Sequence, residues 1–214
     1  MKNKSEFIRI NLTFGQWLYN FILLQFLPVL YTLKGFILFG IFPAIASTFN
    51  IFYRWIALKE YDKSVSEQFK QFYKDSFWRA NKLGWGVITV GAFLIFDLYI
   101  SSYYIQSLLL HTLLVGLFFI YLVISSYLFV TFSRYEYEKL RDYIKQSFYI
   151  GLSSIFQSVA ILLAIVVVSY LFNYVPFLFM FFGIPILFGA ISWFAIQGIL
   201  KAETMSKKQE MKEL

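Results

Sequence analysis

Two side chains in this sequence combine reactive chemistry with an apolar setting, Asp97 and His111. Asp97 is the only acidic residue well inside an apolar run, and His111 is the only histidine. An intramembrane charge costs at least about 2.5–3.5 kcal/mol on insertion scales, so such a carboxylate faces protein or water. Each of the two stands seven residues from Tyr104, the expected centre of a turn. An antiparallel hairpin would bring them to similar depth, as a coupled proton site requires. The plainer reading is that Asp97 is hydrated near the outer surface, or bonds a neighbouring Tyr or Ser.

A second group of candidates breaks helices. Gly40 with Pro43, and Gly183 with Pro185, interrupt the second and sixth apolar runs. Proline removes a backbone hydrogen bond and kinks a helix. Paired broken helices frame substrate sites in many transporters. Packing and bending are the plainer account, since Gly and Pro are common in membrane helices.

Other chemistry is missing. There are no cysteines, hence no disulfide, thiolate nucleophile or Cys-ligated metal. A single histidine excludes a multi-His metal site. No Gly-x-x-x-x-Gly-Lys loop, His-Glu-x-x-His or Gly-x-Ser-x-Gly is present. We therefore expect no catalytic residues, no cofactor, no metal and no enzyme.

The elements that carry these residues follow from composition. Of 214 residues, 59% are hydrophobic, 22% aromatic and 14% charged. Soluble domains have about 45–50% apolar and about 25% charged residues. The excess must face lipid. A span needs about 20 apolar residues, and six runs qualify: 17–33, 36–55, 83–103, 107–132, 154–172 and 176–200. The first run lacks a cleavage site and reads as a permanent span, not a signal peptide. A re-entrant hairpin is the alternative for the first two runs.

Charge sets the orientation. The net charge is +7, but the basic residues lie in short segments between apolar runs, which points to membrane topology and not to nucleic acid. With six spans, eighteen of the nineteen Lys and Arg fall on one side; only Lys34 falls on the other. The positive-inside rule makes the crowded side cytoplasmic. Trp17, Trp55, Trp78, Trp85 and Trp193 fall mostly near run ends, as an aromatic belt would.

The inner segments look helical. Ser64 with Glu67, and Ser133 with Glu136, have capping-box spacing. Apolar stripes follow each box, as on interfacial amphipathic helices; cytoplasmic extensions of the spans are the plainer alternative. Lys74-Asp75-Ser76-Phe77-Trp78 also matches Lys145-Gln146-Ser147-Phe148-Tyr149, 71 residues on. Pro185 lies 142 residues after Pro43, twice that shift. Three parallel copies of an inner helix followed by a hairpin would account for both.

The expectation is an all-α, polytopic membrane protein forming one integral membrane domain. Six transmembrane helices form three hairpins with amphipathic cytoplasmic helices. Both termini, including a tail over 201–214, are cytoplasmic.

Several motifs resemble a known family. They are Gly40-Ile41-Phe42-Pro43-Ala44, the 69–82 stretch with Phe77-Trp78-Arg79-Ala80-Asn81, Asp97-Leu98-Tyr99, and Tyr127-Leu128-Phe129 leading into Ser133-Arg134-Tyr135-Glu136. Together they are similar to the YesL-like bacterial integral membrane proteins, a domain of unknown function, over most of residues 10–175. Val130 stands where the family often has Pro. The resemblance implies a plasma-membrane protein of Gram-positive bacteria, encoded beside carbohydrate ABC transporters and glycan-degrading enzymes. It implies no reaction. Two functions follow as expectations. One is an accessory subunit that binds ABC permeases. The other is a transporter or channel in its own right, using Asp97 and the broken helices. A polar cavity reaching Asp97 would favour the second.

Overall fold

The computed structural model describes the backbone of residues 2–61 and 63–213, and side chains over 15–61, 63–206 and 208. The side chains of Lys2, Lys4, Arg9, Lys207 and Lys212 lie outside the described residues. Among the described residues there is no strand. Seven α-helices follow in order: α1 (Lys2–Lys34), α2 (Ile41–Tyr53), α3 (Val65–Ile100), α4 (Leu108–Arg134), α5 (Leu140–Ser153), α6 (Ile155–Tyr174) and α7 (Pro176–Glu213).

Five of these are long and apolar enough to cross a membrane: α2 with its following turn, α3, α4, α6 and α7. The first predicted run, inside α1, is not among them. Gln16, Asn20 and Gln25 dilute its apolarity. The five are unlike one another. In α2, 67% of the apolar stretch is buried in protein, against 17–22% in the other four.

Helix α2 is the hub. Eleven of its thirteen residues are buried, and it packs on α1, α3, α4 and α7. Its polar residues are satisfied without leaving the core. Ser47 and Thr48 donate to the Pro43 and Ala44 carbonyls, at 2.6 and 2.8 Å, the local back-bonding that short hydroxyl side chains make. Phe49 sits between Phe129 of α4 and Phe188 of α7.

Close approach to α2 depends on glycines. A methyl group at Gly40 would collide with the Thr32 carbonyl, and one at Gly84 with the Phe42 ring. The turn joining α1 to α2 is tight, with Phe36 and Ile37 both left-handed (φ 57° and 60°). That is uncommon for any side chain and more so for a β-branched one.

Pro43 does not interrupt a helix, contrary to the sequence reading. Gly40 is the N-cap of α2, so Pro43 stands in its first turn, where no intrahelical N–H bond is lost. Pro185 does lie inside α7. One turn of α7 before it is held by Gln25 of α1, a buried side chain (8% exposed). Its Nε2 donates to the Met180 carbonyl at 3.0 Å, and its Oε1 accepts from the Ile184 N–H at 2.9 Å. A single carboxamide thus bridges the two backbone groups that an undisturbed helix would pair.

The amphipathic segment after Ser64 is continuous with the third apolar run, in one 36-residue helix. At 1.5 Å per residue α3 is about 54 Å long, nearly twice the hydrocarbon thickness. Its first half packs on α1 and α2. Tyr73 donates to the Tyr31 carbonyl, and Asn81 to the Phe39 carbonyl. Its second half pairs with α4, where Tyr121 donates to the Val87 carbonyl. By contrast α5 breaks from α6 at Ser154, whose hydroxyl donates to the Gly198 carbonyl at 3.0 Å. The 71-residue matches therefore fall on unlike structures: Ser76 in an unbroken helix, Ser147 in a separate one.

Gln25→Leu keeps the side-chain size and removes the bridge. It should lower stability by about 0.6–1.7 kcal/mol, the range measured for interhelical hydrogen bonds in membranes. Unfolding in mixed micelles would read this out. An unchanged midpoint would mean that α1 does not support the Pro185 turn.

Candidate functional site

Asp97 and His111 lie near the α3–α4 connection, both half-buried. They form no ion pair and no side-chain hydrogen bond among the described residues. Helix α3 ends in a wide turn, Ser101–Ile105, closed by left-handed Gln106, whose N–H donates to the Ser101 carbonyl at 3.0 Å. Ser107 then caps α4. The connection runs over 101–107, with left-handed Gln106 near its far end. The Ser101 hydroxyl and His111 Nδ1 are both buried without a partner.

Of the four cap residues, one acts as such, and Glu67 serves only through its backbone N–H. Ser64 is the N-cap of α3, accepting from the Glu67 N–H at 3.5 Å. Ser133 and Glu136 cap nothing. Ser133 lies in the last turn of α4 and donates to the Phe129 carbonyl, while α5 starts at Leu140 with Lys139 as a bare cap. The α4 helix ends inside the apparent box, at Arg134.

The densest polar contacts lie where α4 ends. Tyr143 of α5 is fully buried. Its hydroxyl accepts from the Tyr137 N–H at 2.9 Å and from Arg79 of α3 at 2.5 Å, and donates to the Tyr135 carbonyl at 3.1 Å. Arg79 also stands over the Phe132 ring. Next to it, Arg134 donates to the Tyr53 hydroxyl at 2.6 Å and pairs with Glu203 of α7 at 3.3 Å. Tyr135 donates to the same carboxylate at 2.6 Å. Burial, and then that hydrogen bond to Glu203, push the Tyr135 phenol well above the ordinary tyrosine range. Burial and then Tyr143 raise Tyr137 as well. Five helices meet in this junction. Its guanidinium and phenol groups satisfy one another, so the junction acts as a clamp between the helices.

No His, Asp and Glu cluster suited to a metal occurs among the described residues. Four cavities stand out among the described residues, three of them lined almost wholly by apolar residues. One of about 350 Å³ lies between α3 and α4, bordered by Gly86, Val87, Tyr121 and Ser125. Others of about 380 and 230 Å³ lie beside α1–α2 and α4–α6. A fourth, of about 490 Å³, brings Lys34 together with Lys70 and Lys74. Asp97 and His111 line none of these four, nor do Gly40, Pro43, Gly183 or Pro185. The candidate residues are thus not gathered in one outer pocket. Sequence reasoning missed Gln25, Arg79, Arg134 and Tyr143. Gln25 had a signal, an amide deep in an apolar run; the others look like ordinary residues of a basic, aromatic inner segment.

Fold and contacts together define a multi-pass, all-helical membrane protein whose polar groups serve packing. Comparison with known proteins places it further. The family model described as "Protein of unknown function, DUF624" matches residues 21–98, the segment that builds α2 and its contacts with α1 and α3. Three proteins of Bacillus subtilis (strain 168) are similar along most of the chain. Uncharacterized protein YteU is 28% identical over 179 residues, covering 82% of this chain and 79% of the relative. Uncharacterized protein YesL is 31% identical over 142 residues, covering 65% and 66%. Uncharacterized protein YesV is 29% identical over 185 residues, covering 82% and 84%. The chain belongs to this YesL-like family of unknown function. No solved structure matches it.

Two substitutions separate clamp from bystander. Tyr135→Phe should cost about 1.5 kcal/mol, as for a hydrogen bond to a charged group at a half-exposed site. Because the folded phenol titrates above the unfolded one, this stabilisation is full below the ordinary tyrosine range, near pH 10, and fades as pH rises through the raised value. A pH series of unfolding midpoints for both proteins checks the sign. Asp97→Asn should change stability by less than about 0.5 kcal/mol, as at surface positions without partners. A larger loss would reveal a partner for the carboxylate.

Proposed function

We propose that this protein is an accessory membrane subunit of a bacterial carbohydrate (oligosaccharide) ABC transporter, binding and stabilising its permeases in the plasma membrane. The observation that supports an assembly role is the form of the bundle. Three of the four described cavities have almost wholly apolar linings, and Asp97 lines none of the four. The α3–α4 groove opens sideways past Gly86 and Ser125, small residues of the kind that let a partner helix approach closely. The link to sugar uptake rests on the family resemblance. A stand-alone transporter or channel built on Asp97 and the Gly/Pro positions is the competing reading, and the scatter of those residues speaks against it.

For topology, both termini are placed in the cytoplasm. Six crossings would put Lys34 opposite Lys70 and Lys74, yet the three line one cavity. That juxtaposition, with the burial of α2 in protein, supports a re-entrant α1–α2 hairpin. Helices α3, α4, α6 and α7 then cross. The even count is kept, and the exceptional Lys34 joins the other basic residues.

The absence of cysteine makes the topology directly testable. Tyr104→Cys should react with a membrane-impermeant maleimide in intact cells, and Lys34→Cys should not until the membrane is opened. Labelling of both from outside would restore six crossings. For function, a tagged copy is recovered from native membranes in mild detergent. Stoichiometric ABC permeases in the eluate are the expected result. Recovery of the protein alone, with membrane complexes intact elsewhere in the sample, would sink the accessory role and turn attention to transport assays on Asp97→Asn.

A further inference from the structure

The largest of the four cavities combines features that neither water nor hydrocarbon suits alone. It lies between the 35–40 turn and the first half of α3. Lys34 enters from the end of α1; Lys70 and Lys74 enter from successive turns of α3. None of the three forms an ion pair among the described residues, and no carboxylate lines the cavity. Lys34 Nζ stands 4.7 Å above the centre of the Tyr31 ring, which leaves its hydrogens free for an acceptor. On the same wall, Phe36 and Trp78 are 88% and 69% exposed.

Three ammonium groups facing one space repel one another unless an anion joins them. Exposed aromatic rings of this size favour an apolar or interfacial neighbour. A ligand anionic at one end and apolar at the other satisfies both. We propose that this cavity binds an anionic phospholipid: its phosphate is held by Lys34, Lys70 and Lys74, and its acyl chains lie over Phe36 and Trp78. Basic pockets between membrane helices bind lipid headgroups by the same physics, and lysine stems lie along apolar surface while their charged ends reach the headgroup layer. The cavity is built, not incidental. The turn is held to α3 by the hydrogen bond from Tyr73 to the Tyr31 carbonyl, and Gly35 leaves room for it, since a Cβ there would stand 2.6 Å from the Tyr73 hydroxyl. The site is independent of the ABC reading, and each can fail without the other.

Trp78 lies in the site and reports on it. The protein is reconstituted in phosphatidylcholine vesicles containing a small, equal fraction of brominated phosphatidylglycerol or brominated phosphatidylcholine. The Trp78 signal is taken as the difference from Trp78→Phe. Brominated phosphatidylglycerol should quench it more strongly. Each of Lys34→Gln, Lys70→Gln and Lys74→Gln should reduce that preference about fivefold, the equivalent of about 1 kcal/mol per surface lysine. Inorganic phosphate should leave the preference unchanged. Equal quenching by the two lipids would overturn the site. So would a preference that survives the triple substitution, and loss of preference in inorganic phosphate would show a free-anion site instead. The wild-type comparison of lipids needs no variant, so it decides the matter even if the triple substitution fails to fold.

Discussion

Burial of α2 on every side is the constraint on which the rest of the structure depends. A helix of thirteen residues with eleven buried must meet close neighbours all round, and the chain supplies them in kind. Gly40 admits the backbone of α1, and Gly84 admits the Phe42 ring. Phe49 fills the space between α4 and α7. Side chains at such a centre have no lipid or water to fall back on, so Ser47 and Thr48 turn to their own helix. The remaining helices can then be loosely packed and face the bilayer, because the hub fixes their inner ends.

Polar groups in this protein are spent on joints. Gln25 mends the α7 backbone ahead of Pro185. Ser154 ties the start of α6 to α7. Tyr143, Arg79, Arg134 and Glu203 gather five helices at the end of α4. In a medium that cannot compete for hydrogen bonds, unsatisfied donors and acceptors are expensive, so these few contacts decide which helices stay together.

Much of the helical architecture was legible in the sequence, because lipid exposure writes itself into long apolar runs. Runs 107–132 and 154–172 lie within a residue or two of α4 and α6. Ser64 was legible for a local reason, since a cap depends on four consecutive residues. The first hairpin was not. Helix α2 with its following turn is long and apolar enough to cross, as run 36–55 suggested, but its burial in protein is set by tertiary contacts that composition does not record. Asp97 and His111 form no hydrogen bond or ion pair among the described residues, and the turn between them uses left-handed Gln106, which no propensity would have chosen over glycine. Ser133 and Glu136 show the converse: the motif falls on the end of α4, which stops at Arg134, and not on the start of α5 at Leu140.

The unbroken length of α3 has mechanical meaning. A helix without a proline or a break along 36 residues behaves as a stiff rod. One arm lies among α1 and α2, and the other forms the mostly exposed hairpin with α4. If the second arm is pushed sideways, by a neighbouring helix or by a change in bilayer thickness, the first must answer. A rotation of about 5° about the middle displaces the far end by about 2 Å over an arm of about 27 Å. That end carries Val65 and Phe69, packed on Leu24 and Trp55. Lateral pressure on one leaflet would thus be converted into strain at the opposite surface, with α3 as the lever and the buried α2 as its fulcrum.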